Sequence, residues 1–191
     1  MGRQEFRPDK PGVSLWSKLY PTRKQRLAVL KWLMFSLVLV ALSVIQDVIF
    51  SRGRLMGGTT DLVPCLVFLV CLTEGAENGA VFSLLAALFY QFSGSGPGAY
   101  CVVLIPAIAI AGAAFRQNYF QPKFRTALMC LLPEMLVYEG VVFAAGLFLG
   151  QARPDRWFVF PLTAVYSMGL APIAYPVSMA IGKIGGETWK D

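Results

Sequence analysis

The chain has 191 residues, of which 56% are hydrophobic and only 15% charged. That ratio excludes an ordinary soluble domain, which needs polar surface to cover its core, and it describes a polytopic membrane protein built as one compact bundle. The net charge of +6 does not point to nucleic acid, because seven of the 17 Lys and Arg lie in the first 26 residues, ahead of the first apolar run. Such a cluster suits an anionic inner leaflet, where each base near the surface contributes roughly 1 kcal/mol.

Residues 1–26 form a basic cytoplasmic segment containing Pro8, Pro11 and Pro21. Val13, Trp16 and Tyr20, with Leu15 and Leu19 beside them, make an apolar stripe at helical spacing. The segment reads either as a short interfacial helix with Trp16 and Tyr20 at headgroup level or as a tail held by charge alone. The membrane domain follows over residues 27–182, and residues 183–191 are a cytoplasmic tail.

About 20 apolar residues span a hydrocarbon core, so residues 27–50 predict the first transmembrane helix, with Lys31 snorkelling to the inner surface. That run is too long for a signal-peptide core and lacks a small-residue cleavage pattern, so it is expected to stay attached. Residues 61–100 read as a membrane hairpin around which the rest is organised. A span over 61–73 and another over 79–92 are joined by a tight acidic turn, and Ser93-Gly-Ser-Gly-Pro-Gly98 closes the hairpin at the opposite face. Both spans are short and must tilt little or borrow flanking residues. The fourth span covers 100–115 and is interrupted by Pro106. A basic loop over 116–125 leads to the fifth, 126–150, which carries Pro133, Glu134 and Glu139. The sixth, 157–182, contains Pro161, Pro172 and Pro176.

Six spans place both termini on one side. With the N-terminus inside, inner segments hold 13 Lys and Arg and outer loops hold four, namely Arg52, Arg54, Arg153 and Arg156. The positive-inside bias therefore makes both termini cytoplasmic. The fold class is all-α with six transmembrane helices, several short or proline-interrupted.

Chemistry-bearing residues are few. There is no histidine, which removes the commonest general acid–base and metal ligand, and Cys65, Cys71, Cys101 and Cys130 all lie in apolar runs where a thiol behaves as a small hydrophobe. No catalytic, metal or cofactor site is expected. The glycine turn from Gly94 to Gly98 lacks the Lys-Ser/Thr of a phosphate loop. Glu134 and Glu139 are ionisable groups at bilayer depth, hence functional candidates by default. Five residues apart, they point roughly 140° from each other and do not act as one acid–base pair. They form either an intramembrane polar site for a substrate or proton, or carboxyls bonded to neighbours such as Lys31 or Tyr138. Pro133 is expected to disturb the helix and free the carbonyl of Met129. Asp47 and Asp61 lie near the outer face and are expected to join Arg52 and Arg54 in a structural acid–base cluster, with Asp61 favoured by a helix N-terminus. Gly75 and Gly79, like Ala107/Ala111 and Ala109/Ala113, suit close helix contact.

With these residues in place, the chain resembles the bacterial rod shape-determining family MreD over about residues 30–185. The carriers are Ile45-Gln46 at the end of span one, Thr60-Asp61-Leu62 at the opening of span two, the inner turn Gly75 to Gly79, the Leu-rich run Leu84 to Phe92, and the turn Ser93 to Gly98. Thr60 stands where the family has proline, and Tyr90-Gln91 where it usually has Asp. The resemblance implies a non-enzymatic membrane scaffold of the cell-elongation machinery. Such a scaffold binds the bitopic partner MreC and links MreB filaments to peptidoglycan synthesis, with anionic inner-leaflet lipids met by the basic N-terminus. Gln46, Asp47, Asp61, Gly75, Gly79, Gly94 and Gly98 would then be structural or partner-contact residues. The alternative is a substrate-binding subunit of an energy-coupling-factor vitamin transporter, a family with a similar six-helix fold, although the Ala-x-x-x-Ala motif usual in its first helix is absent here.

Overall fold

The computed structural model describes residues 23–50, 60–121 and 123–185. Over these residues the chain is helical throughout, with no strand. The helices are α1 (Arg23–Ile45, continued by a π turn Gln46–Phe50), α2 (Leu62–Glu74), α3 (Ala76–Phe92), α4 (Cys101–Tyr119), α5 (Phe124–Phe148), α6 (Val159–Met168) and α7 (Ala171–Gly182). Residues 1–22 of the basic N-terminal segment, Arg52 and Arg54 lie outside the described residues, and so does most of the predicted tail, whereas residues 23–26 of that segment open α1.

The fold is organised around α2. All 13 of its residues are buried, and it packs against each of the other six helices. A helix buried on every side reads as a continuous apolar run rather than an amphipathic one, as Leu62-Val-Pro-Cys-Leu-Val-Phe-Leu-Val-Cys-Leu72 does. Phe35, Phe82, Ile105, Leu131 and Tyr138 close around it from α1, α3, α4 and α5. The outer helices turn apolar residues outward instead: Leu33, Leu37 and Val44 on α1, Val103 on α4, and Met129 and Val137 on α5. Such surface is stable only against lipid or a partner.

Among the described residues three helices are long and apolar enough to cross a membrane, within Lys24–Val48, Cys101–Tyr119 and Phe124–Phe148, and α6 with α7, bent by 48° at their junction, passes the same test only as a pair, either a broken span or a re-entrant loop. These helices mark a membrane protein, all-helical over the described residues, with three or at most four spans by length and composition where the sequence predicts six. At 1.5 Å per residue the 13 residues of α2 extend only about 20 Å, so α2 does not reach across a bilayer by itself.

The interruption expected at Pro106 is corrected, because α4 runs through it without a break. Helix α5 likewise continues through Pro133, which has no N–H to offer the Met129 carbonyl. The last span bends at Gly169–Leu170, between α6 and α7 and away from Pro161 and Pro176, with Pro172 in the first turn of α7, where its missing N–H costs nothing. The predicted loop over 116–125 is also shorter than expected. Arg116 lies inside α4 and is completely buried. Of the alanine pairs, Ala109 and Ala113 face the core, whereas Ala107 and Ala111 are exposed.

The inner turn follows the glycine pattern. Gly75 takes a φ of 91°, the left-handed side that L-residues avoid. Gly79 lets α3 lie directly on α2, since a Cβ there would sit 2.8 Å from the Cys71 sulfur.

Candidate functional site

A short helix whose ends stop inside a bundle cannot leave its terminal backbone groups to water. The N-terminus of α2 meets this requirement with side chains from other helices. The Gln46 Oε1 accepts from the N–H groups of Leu62 at 2.8 Å and Val63 at 3.1 Å. Pro64 has no N–H to satisfy. The Asp61 N–H donates to the Ser167 Oγ of α6 at 2.8 Å, and that hydroxyl donates in turn to the Thr163 carbonyl at 2.8 Å. Gln46 uses its remaining group as well, its Nε2 donating to the Tyr90 hydroxyl of α3 at 3.3 Å. At the π turn that ends α1, Gln46 reaches α2 and Asp47 reaches the turn between α3 and α4. There both Asp47 carboxylate oxygens accept from the Ser95 hydroxyl at 2.8 Å.

Asp61 stands at the N-terminus of α2, and its side chain makes no capping hydrogen bond to that helix. Its carboxyl neighbours the Glu139 carboxyl on α5. Tyr138, beside Glu139 in sequence, brings its hydroxyl to 3.8 Å from the Cys101 sulfur at the start of α4. Six helices therefore meet at one polar cluster built from Gln46, Asp61, Tyr90, Cys101, Tyr138, Glu139 and Ser167. Its depth is consistent from two directions: Glu139 lies nine residues before the end of α5, and Ser167 eight residues after the start of α6. Both counts place the cluster about 12–14 Å from those ends, so the N-terminus of α2 is sunk into the bundle.

The other end of α2 is held differently. Lys31 of α1 forms a buried ion pair with Glu74, the last residue of α2. Arg116 of α4 donates to the Leu72 carbonyl in the last turn, where a cation also meets the negative end of the helix dipole. Lys31 therefore does not snorkel to the surface as expected. With α1 starting at Arg23 it lies about 12 Å along the helix, at the depth where α2 ends.

Glu134 lies apart from the polar cluster. Its carboxyl packs on Gly112 of α4, where a Cβ would overlap it, and neither oxygen has a hydrogen-bond partner. It borders a cleft of about 370 Å³ between α4 and α5, lined also by Ile108, Phe115, Met129 and Val137.

The structure thus joins three of the sequence candidates, Gln46, Asp61 and Glu139, at one place. Asp47 is linked to the turn containing Gly94 and Gly98. That turn takes φ 78° at Gly94, and the Gly98 carbonyl accepts the Cys101 N–H at 3.0 Å. Gly75 and Gly79 stand at the opposite end of α2, and Glu134 is separate. Nothing in the sequence marks Ser167, or the Lys31–Glu74 and Arg116 links, and Tyr90 and Cys101 stand out there only as a departure from the family pattern and as a buried thiol. The usable signal was the shortness of the second apolar segment, which requires caps from elsewhere. No family model, curated protein sequence or solved structure matches the chain.

Proposed function

We propose that the chain is a six-pass, non-enzymatic scaffold of the bacterial cell-elongation machinery, of the MreD type, with both termini cytoplasmic. In this role it binds MreC and, through it, links MreB filaments to the peptidoglycan polymerase and transpeptidase. One observation carries the reading: the polar side chains at the centre serve to fix helix ends. Gln46 and Ser167 cap α2, Asp61 and Glu139 join α2 to α5, and Lys31 and Arg116 hold the far end. This builds a rigid body whose outward apolar faces are available to partner helices. The sequence carriers of the resemblance support the same reading, since Gln46 and Asp61-Leu62 are the residues of the α2 cap. The test is co-purification with MreC together with loss of rod shape on depletion. A normal cell outline after depletion and no MreC retained on the tagged chain would overturn it.

A second reading, the substrate-binding subunit of an energy-coupling-factor vitamin transporter, draws on the Glu134 cleft between α4 and α5. A vitamin retained in stoichiometric amount through purification, and lost in Glu134→Gln, is the result that favours it.

A further inference from the structure

The connection between α5 and α6 is short and closely built. At the end of α5 the Gly150 N–H donates to the Leu147 carbonyl at 3.1 Å and the Gln151 N–H to the Gly146 carbonyl at 2.8 Å, the paired bonds of a Schellman turn. Gly150 takes the left-handed φ of 68° that this turn requires. The Ala152 N–H also reaches the Gly146 carbonyl, at 3.0 Å, so the chain folds back onto α5. Pro154–Arg156 then make one 3-10 turn, closed by the Arg156 N–H on the Arg153 carbonyl at 3.1 Å.

Between this turn and the two helix ends lies a cavity of about 430 Å³, within the range of ligand pockets. Its lining has two halves. Gln151, Arg153 and Arg156 are polar and exposed, whereas Phe143 and Val159 are apolar and half-buried. Phe143 is backed by Phe160 of α6, with ring centroids 5.7 Å apart. Neither guanidinium is ion-paired with a carboxylate among the described residues, the exposed Asp155 between them included. Phe148, Leu149, Trp157 and Phe158 are all exposed at the same connection. Apolar and aromatic side chains turned outward beside a loop belong at the membrane interface, Trp above all. The two arginines therefore stand at headgroup level, with an apolar surface next to them.

We infer that this cavity is a binding site for an anionic phospholipid, its phosphate held between Arg153 and Arg156 and the start of its acyl chains laid on Phe143 and Val159. A guanidinium offers parallel N–H donors that match phosphate oxygens, and the exposed Gln151 amide adds a neutral donor. A soluble anion uses only the polar half of the cavity. A zwitterionic lipid brings a cation of its own toward two others. The lipid belongs to the outer leaflet under the six-pass topology, but the site rests on the membrane and not on the scaffold role.

The test is native mass spectrometry of the full chain in detergent, with phosphatidylglycerol, phosphatidylcholine or glycerol phosphate added at equal concentration. The wild type is expected to retain one more phosphatidylglycerol per chain than Arg153→Gln with Arg156→Gln, whatever number the basic N-terminal segment holds. Lys123→Gln with Arg125→Gln removes the same charge from exposed positions at the opposite end of α5, and it is expected to keep that lipid. All four positions are exposed, so the variants are expected to fold. Phosphatidylcholine and glycerol phosphate are expected to bind the wild type and the Arg153/Arg156 variant alike. Equal phosphatidylglycerol counts in those two proteins overturn the proposal. So does an equal loss in the Lys123/Arg125 variant, which reduces the effect to net charge, and so does an equal loss of phosphatidylcholine, which removes the selection for an anion. Glycerol phosphate retained by the wild type and lost with the arginines makes this a site for a soluble anion and overturns the lipid.

Discussion

Gln46 shows how much a single side chain carries when water is excluded. Its one carbonyl oxygen satisfies two backbone donors that have no other acceptor at the sunken end of α2. Leaving a buried donor unsatisfied costs about 1–3 kcal/mol. Gln46→Leu is therefore expected to destabilise the purified protein by about 2–6 kcal/mol, summed over two such donors, as read by thermal melting in detergent. The substitution would be silent if Gln46 were merely a lipid-facing residue. Lys31 and Glu74 make the complementary case at the other end. Removing one partner of a buried ion pair costs about 3–5 kcal/mol, because it leaves a bare charge, whereas replacing both with apolar residues is often neutral. Lys31→Met is thus expected to be strongly destabilising and Lys31→Met with Glu74→Leu nearly as stable as the wild type. If the double variant is no better than the single one, the pair does more than balance charge.

At the scale of the element, α2 explains both what the sequence disclosed and what it withheld. Its run of apolar residues, and the glycines at 75 and 79, marked the hairpin and its inner turn directly, because burial on all sides and close approach leave compositional traces. Gly79→Leu is expected to separate α3 from α2, since a Cβ there already meets both the sulfur and the backbone of Cys71. Overpacking of this kind costs about 1–3 kcal/mol, measurable as a lowered melting temperature, and the same change at exposed Val81 on α3 is expected to have little effect. The pairing of Asp61 with Glu139 was not legible, because 78 residues separate them. Nothing in either local pattern specifies that α5 passes the N-terminus of α2. Arg116 was read as a loop base because its neighbours are polar, yet a carbonyl at the end of α2 gives it a buried acceptor. Pro106 misled in the opposite direction: it lies within a continuous helix, so tertiary packing overrode the local tendency to break.

For the whole molecule, the two ends of α2 define two sides, and charge decides which is which. The capping cluster gathers the end of α1, the end of α3 and the start of α4. The opposite side carries Lys31, Arg116 and the α4–α5 connection. The surplus of Lys and Arg on the second side assigns it to the cytoplasm under the proposed six-pass topology. The four native cysteines are all buried, so an introduced surface cysteine is the main thiol an aqueous reagent can reach. Asn118 and Asp155 are exposed near opposite ends of the bundle, the first in the last turn of α4 and the second between α5 and α6. Asp155→Cys is expected to react with a membrane-impermeant maleimide in intact cells, and Asn118→Cys only after the membrane is opened. The reverse pattern would invert the molecule and turn the capping cluster toward the cytoplasm. Reaction of both positions in intact cells would mean that the bundle does not separate two compartments, and the topology would fail with it.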